Sequence, residues 1–168
     1  MNNVTETIEI RKIRIEDNLA IESIIKNVLT ELKHNSKGTA YYDKDTNAMF
    51  EAYQNKKSVY YVVLLNKVII GGCGIQPLKN GAKNICELQK MYILPIARGK
   101  KIGKLLILQS LDFAIKKGFK KCYLETFPDM LNAIKLYQQN GFKKINNPLG
   151  DTYHYACNTW MLKNLTTY

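Results

Sequence analysis

The sequence predicts one α+β domain over residues 1–168, a mixed sheet of about seven strands with helices on both faces. Three observations predict it. Stretches with apolar residues at every second position are interspersed with stretches whose apolar residues recur at helical spacing. Their order is strand, helices, three strands, helix, strand, helix, two strands. A length of 168 residues, 46% of them hydrophobic and 23% charged, suits a single domain able to bury its own core. No internal repeat, low-complexity tract or linker divides the chain.

The elements follow in order. IEIRKIR at 8–14 alternates apolar and basic residues, the pattern of a half-buried strand. Asp17 is placed to cap a helix whose apolar face is Ile21, Ile24, Ile25, Val28, Leu29 and Leu32. Residues 35–57 are polar, with a short helix expected near 46–54. VYYVVLL (59–65) and VIIGGCGI (68–75) read as a hairpin turning at Asn66-Lys67. ICELQKMYIL (85–94) is a fourth strand stopped by Pro95. A helix over about 100–117 ends at Gly118, a residue suited to the left-handed position after a helix. CYLET (122–126) is a strand, Pro128-Asp129 opens a helix closing at Asn140-Gly141, and two strands are expected near 142–146 and 153–163.

Composition excludes several classes. No apolar stretch is long enough to span a bilayer, and MNNVTETIEI lacks the charged-then-apolar profile of a signal peptide. Cys73, Cys86, Cys122 and Cys157 form no C-x-x-C pair and only two histidines accompany them, which argues against a zinc site or a disulfide framework. A reduced, cytoplasmic setting is expected. The net charge is +11, and residues 98–121 hold eight Lys or Arg against the single acid Asp112. Such a field suits an anionic ligand: a nucleotide cofactor, a nucleic acid or an acidic membrane face.

RGKKIGKLLIL (98–108) concentrates this charge where a strand passes into a helix. The first N–H groups of a helix lack internal partners, and the helix dipole is positive there. Gly99 and Gly103 permit close approach, so phosphate oxygens can be held by main-chain donors, with Arg98, Lys100, Lys101 and Lys104 adding Coulomb attraction. The glycine fingerprint of a dinucleotide-binding fold is not met, nor is a Walker-type loop.

The run ELQKMYILPIARGKKIGKLLI, followed some thirty residues later by NAIKLYQQNGF, resembles the GCN5-related N-acetyltransferase (GNAT) superfamily, most sharply over 85–142. The resemblance implies a mostly antiparallel twisted sheet with a splayed parallel pair, and transfer of acetyl from acetyl-CoA to a primary amine of a small molecule or peptide, without metal. It implies that R/Q-x-x-G-x-G/A, here Arg98, Lys101 and Gly103 with Gly99 beside it, opens the helix whose amides, through Lys100, Ile102 and Lys104, hold the pyrophosphate. Lys101 stands where the family usually has glycine. The backbone of Met91, Tyr92 and Ile93 is expected to pair with the pantetheine arm, with the N–H of Tyr92 or Ile93 facing the thioester carbonyl. Glu87 is expected as general base with Gln89 on the same strand face, Tyr137 as proton donor to sulfur in the frame Ala133, Tyr137, Gly141, Phe142, and Asn132 as a cofactor contact. A monomer or homodimer is expected, acting on neither nucleic acid nor membrane.

His154 and Cys157, i and i+3 on an expected strand, fall on opposite faces, which argues against a local dyad and leaves His154 for the acceptor side of the cleft. Tyr41 and Tyr42 precede the region that covers the acceptor pocket in this family. Two other readings of the chain are a non-catalytic acyl-CoA-binding module and, ranked last, a nucleic-acid binder using the basic helix.

Overall fold

The computed structural model describes residues 6–165. Its elements are β1 (Ile8–Lys12), α1 (Asn18–Glu31), α2 (Met49–Ala52), β2 (Val59–Leu65), β3 (Val68–Pro77), β4 (Ile85–Ile93), α3 (Ile102–Lys116), β5 (Lys121–Thr126), α4 (Leu131–Gln139), β6 (Lys143–Ile145) and β7 (Thr159–Asn164). The strands form one sheet in the order β1-β2-β3-β4-β5-β7-β6, with β4 and β5 the one parallel pair. Helices cover both faces, as the alternating patterns predict. Ile21, Ile25 and Leu29 of α1 pack with Tyr60 and Val62 on one side. Ile102, Leu106 and Ile107 of α3 pack with Val63, Ile75 and Leu88 on the other, and α4 adds Ile134 and Tyr137. Each fully buried aliphatic side chain contributes about 1.5–3 kcal/mol of transfer free energy. These two layers therefore hold the sheet, and β2 is buried along its whole length.

The punctuation expected from sequence is in place at several points. Asn66 and Lys67 both take positive φ (50° and 69°), as a two-residue hairpin turn of this type requires. Gly118 and Gly141 follow α3 and α4 at φ 84° and 86°, and Phe119 N–H and Phe142 N–H reach back to the Ala114 and Tyr137 carbonyls.

Three expectations are corrected. Asp17 stands at the start of α1 but makes no side-chain cap. It is buried instead, accepting from the Arg14 N–H at 2.8 Å and from both Arg11 guanidinium nitrogens at 2.6 and 2.9 Å, which ties α1 to β1. The helix after α3 starts at Leu131 rather than at Pro128. The last strand starts at Thr159 rather than 153, so residues around 152–158 form a loop.

β3 carries glycines where bulky groups cross it. A Cβ on Gly72 would lie 2.4 Å from the Tyr60 ring and 2.7 Å from the Tyr61 carbonyl oxygen, and one on Gly74 2.4 Å from the Tyr53 hydroxyl. Overpacking of this kind costs about 1–3 kcal/mol. Gly72→Ala is expected to lower the thermal unfolding midpoint by about 2–4 °C per kcal/mol lost. An unchanged midpoint in a melt followed by circular dichroism would show that the Tyr60 packing is not confined as described.

Candidate active site

The parallel pairing of β4 with β5 runs from Ile85–Lys121 only to Glu87–Tyr123. β4 then continues to Ile93 on the β3 side, while β5 continues to Thr126 paired with β7. The two strands therefore part after Glu87 and leave a gap in the middle of the sheet. Leu94 N–H donates to the Ile70 carbonyl at 2.8 Å. Antiparallel alternation then turns the main-chain groups of Tyr92 toward β3 and those of Met91 and Ile93 toward the gap. Of Tyr92 and Ile93, it is therefore Ile93 whose N–H is turned to the gap.

A bulge shapes the middle of β4. Gly72 pairs with Tyr92 and Gly74 with Gln89, so Lys90 and Met91 together oppose Cys73. Lys90 sits at φ 50°, a left-handed conformation costing a non-glycine residue about 1–2 kcal/mol. Three groups hold it there. The Tyr60 hydroxyl donates to the Lys90 carbonyl at 2.9 Å, and the Lys90 ammonium, 6% exposed with its residue, lies 2.9 Å from Asp45 and 3.1 Å from Asp43. The bulge also flips the strand's parity. Glu87 and Gln89 share one face, as expected, but beyond Lys90 it is Tyr92 that packs on the α1 side, with Met91 and Ile93 on the α3 side.

Glu87 is 4% exposed. Burial, with the nearby Glu125 carboxylate, raises its pKa to about 7 against the opposing pull of His154, Lys90 and the Gln89 amide. Gln89 donates to Glu87 at 2.9 Å and accepts from the Tyr53 hydroxyl at 2.9 Å, which fixes the carboxylate's orientation. Donor atoms of Glu87, Glu125 and His154 lie within 4.8 Å of one another. Glu125 accepts from the hydroxyls of Tyr123 (2.6 Å) and Thr152 (2.8 Å), and His154 Nε2 lies 2.9 Å from Asp43. Burial pulls the His154 pKa down, but the hydrogen bond and charge of Asp43 outweigh it and the net shift is upward.

A cavity of about 500 Å³ opens over this face, lined by Tyr42, Lys44, Gln76, Lys79, Glu87 and Tyr153 among others. A recess of about 40 Å³ shares Glu87, Gln89, Lys90 and His154 with it and reaches Tyr92, Glu125 and Cys157. The opposite-face argument for His154 and Cys157 fails, because the segment is a loop and both residues line the recess. The His154 ring nitrogen Nε2 instead meets Asp43 at 2.9 Å, and burial, with Glu125, Glu87 and Asp43, raises the Cys157 thiol to about 12, which favours the thiol over the thiolate. Of the tyrosine pair, Tyr42 is among the residues that line the cavity.

The start of α3 lies beside the gap. Among the described residues, the N–H groups of Gly99, Lys101, Ile102, Gly103 and Lys104 have no protein acceptor, whereas Lys100 N–H closes the turn made by Arg98 and Gly99, and the first helical bond is Leu105 N–H to the Lys101 carbonyl at 3.3 Å. Gly99 (φ 79°) and Lys101 (φ 61°) are left-handed, a backbone arrangement that curls successive N–H groups into an anion-binding concavity. Lys101 thus adopts the conformation glycine would take at lower cost. A Cβ on Gly103 would lie 2.8 Å from Leu136 and 3.2 Å from Met91, so this glycine lets the first turn press on both α4 and β4. The donor set fits a diphosphate: five unpaired amides at the positive end of a 15-residue helix, with lysines alongside. Arg98 departs from its expected place. Its N–H is taken by the Pro95 carbonyl at 3.1 Å, its Nε donates to the Ile93 carbonyl, and its guanidinium makes a two-pronged pair with Glu31 of α1 at 2.6 and 2.8 Å. The Lys100 ammonium pairs with Glu6.

Tyr137 is 7% exposed and packs edge-on against Phe142 in the α3-side core. Burial, with Cys73 and Cys157, raises its pKa, so the phenol keeps its proton at neutral pH. Asn132 is exposed in the first turn of α4. Sequence reasoning did not single out Asp43, Lys90 or Glu125. The one available signal was the spacing of apolar residues in β4, Cys86 and Leu88 and then Met91 and Ile93, which skips a position at the bulge.

Other proteins are similar in sequence or in fold. The Escherichia coli (strain K12) uncharacterized N-acetyltransferase YjgM is 38% identical over 98% of this chain and 100% of its own length. A GNAT-family acetyltransferase from Staphylococcus aureus Mu50 superposes with a TM-score of 0.82 at 21% identity, covering 95% of this chain and 100% of that one. yncA from Salmonella typhimurium, solved with its cofactor acetyl-CoA, superposes at 0.76 and 20% identity, covering 96% and 95%. The sequence pattern of the Acetyltransferase (GNAT) family matches residues 25–142, and with the splayed β4–β5 gap and the amide-lined start of α3 in place, the chain belongs to that family.

Proposed function

We propose that the chain transfers the acetyl group of acetyl-CoA directly to a primary amine of a small molecule or peptide. The observation that carries this reading is the convergence on one gap of the unpaired amides of Gly99 and Lys101–Lys104 and a buried carboxylate, Glu87, whose pKa of about 7 suits it to proton transfer near neutrality. Acetyl-CoA, when bound, supplies a thioester activated toward nitrogen.

The amides of Gly99 and Lys101–Lys104 hold its diphosphate, and Met91 and Ile93 offer main-chain groups along the gap for its pantetheine amides, with Asn132 at its flank. This alignment alone removes much of the entropic barrier. Glu87, steadied by Gln89, takes a proton from the incoming ammonium. Ile93 N–H stabilises charge on the carbonyl oxygen as the C–N bond forms. Tyr137 gives its proton to sulfur as the C–S bond breaks, and the second nitrogen proton balances that loss. The products are an amide, coenzyme A as the thiol, and one proton released overall.

Turnover of acetyl-CoA against a panel of primary amines, followed by thiol release, tests the reading. Binding of acetyl-CoA with no turnover of any amine would leave only an acyl-CoA-binding module. Since Glu87 acts as its carboxylate, kcat/KM is expected to climb as pH rises through about 7. Glu87→Gln is expected to abolish that limb and to lower kcat/KM by about 10²-fold. A retained limb would move the base elsewhere. Tyr137→Phe is expected to lower kcat by at least about tenfold while the KM for acetyl-CoA changes less than about twofold. An unchanged kcat would return Tyr137 to a packing role.

A further inference from the structure

We infer that the acceptor is a small zwitterion, an amine carrying a carboxylate, its ammonium held at the floor of the cavity and its carboxylate at the rim. This rests on the acetyltransferase reading above and names the substrate class for that site.

The inference follows from where charge remains once the internal pairs are formed. Lys90, Asp43, Asp45 and His154 form a closed set. The Lys90 ammonium touches both aspartates, and Asp43 also bonds His154, whose pKa is raised, so with the imidazole protonated two positive charges meet two negative ones. Two groups of opposite sign are left over, and they lie at different depths. Glu87 is buried at the junction of cavity and recess, with Glu125 within 4.8 Å of it, so the floor is negative. Lys44 and Lys79 are exposed and line only the outer cavity. Lys44 lies between two aspartates that both turn to Lys90, and Lys79 is held 4.3 Å over the Tyr153 ring. The rim is therefore positive.

An ammonium entering this field is drawn past the lysines only when an anionic group travels with it. A polyamine meets like charge at the rim, on a chain already at +11. The volume of about 500 Å³ holds a free amino acid or a dipeptide, within the size range of small-molecule sites. The left-handed Tyr153 (φ 62°) sets the lining: Thr152 and His154 on either side bond Glu125 and Asp43, while Tyr153 itself lies under Lys79 at the rim.

The experiment compares kcat/KM, at fixed saturating acetyl-CoA, for free α-amino acids, their methyl esters, the corresponding decarboxylated amines, and spermidine. The free acids are expected to exceed their esters and decarboxylated amines by about tenfold or more, the scale of one charge-assisted contact, with spermidine the poorest acceptor. Charge reversal at both rim lysines (Lys44→Glu with Lys79→Glu) is expected to bring the acid-to-ester ratio down to about one or below. Both lysines are exposed, and a thermal midpoint measured in parallel confirms that the variant folds. Esters, decarboxylated amines or spermidine turning over as well as the acids overturns the inference and leaves the acetyltransferase reading standing. So does an acid preference that survives charge reversal. Failure to acetylate any amine removes both.

Discussion

The bulge at Lys90 is the constraint on which the site depends. Without it β4 would carry Glu87, Gln89 and residue 91 on one face, and the strand would present Met91 where Tyr92 now packs. With it, the half of β4 before Lys90 turns acid and amide side chains into the cavity. The half beyond turns Met91 and Ile93 toward α3, beside the amides that start that helix. A left-handed lysine costs about 1–2 kcal/mol. The Tyr60 hydroxyl on its carbonyl and two aspartates on its ammonium offset that cost. The glycines of β3 belong to the same device, since only there can the rings of Tyr60 and Tyr53 cross the sheet to reach Lys90 and Gln89.

Much of the fold was legible because it rests on local pattern. The apolar spacing of α1, the Asn66-Lys67 hairpin and the glycines after α3 and α4 are each decided by a few neighbouring residues. What failed depended on partners far along the chain. Asp17 reads as a cap but meets Arg11 of β1, and a buried ion pair outcompetes a cap. The stretch expected as strand from 153 has the right composition, yet Thr152 and His154 are held by Glu125 and Asp43, partners far along the chain that no local pattern reveals.

The candidate site divides in the same way. Glu87 and the α3 start carry signals in short contiguous runs. Asp43, Lys90 and Glu125 come from three separate segments, and nothing in any one of them marks the meeting. Arg98 illustrates the converse. Its place in the motif is legible, but its guanidinium belongs to Glu31, 67 residues away, so the anion-binding donors at this turn are backbone amides that any residue type would supply. That explains how lysine is tolerated at 101, where its left-handed backbone, not its side chain, does what the concavity requires.

Asp43 has a mechanical meaning as well as an electrostatic one. One carboxylate grips the ammonium on β4 and the imidazole on the loop before β7, so the two sides of the cavity are tied through a single residue. Neither side can swing without loading the other. A displacement of either side would be felt by the other, as the jaws of a clamp share one screw.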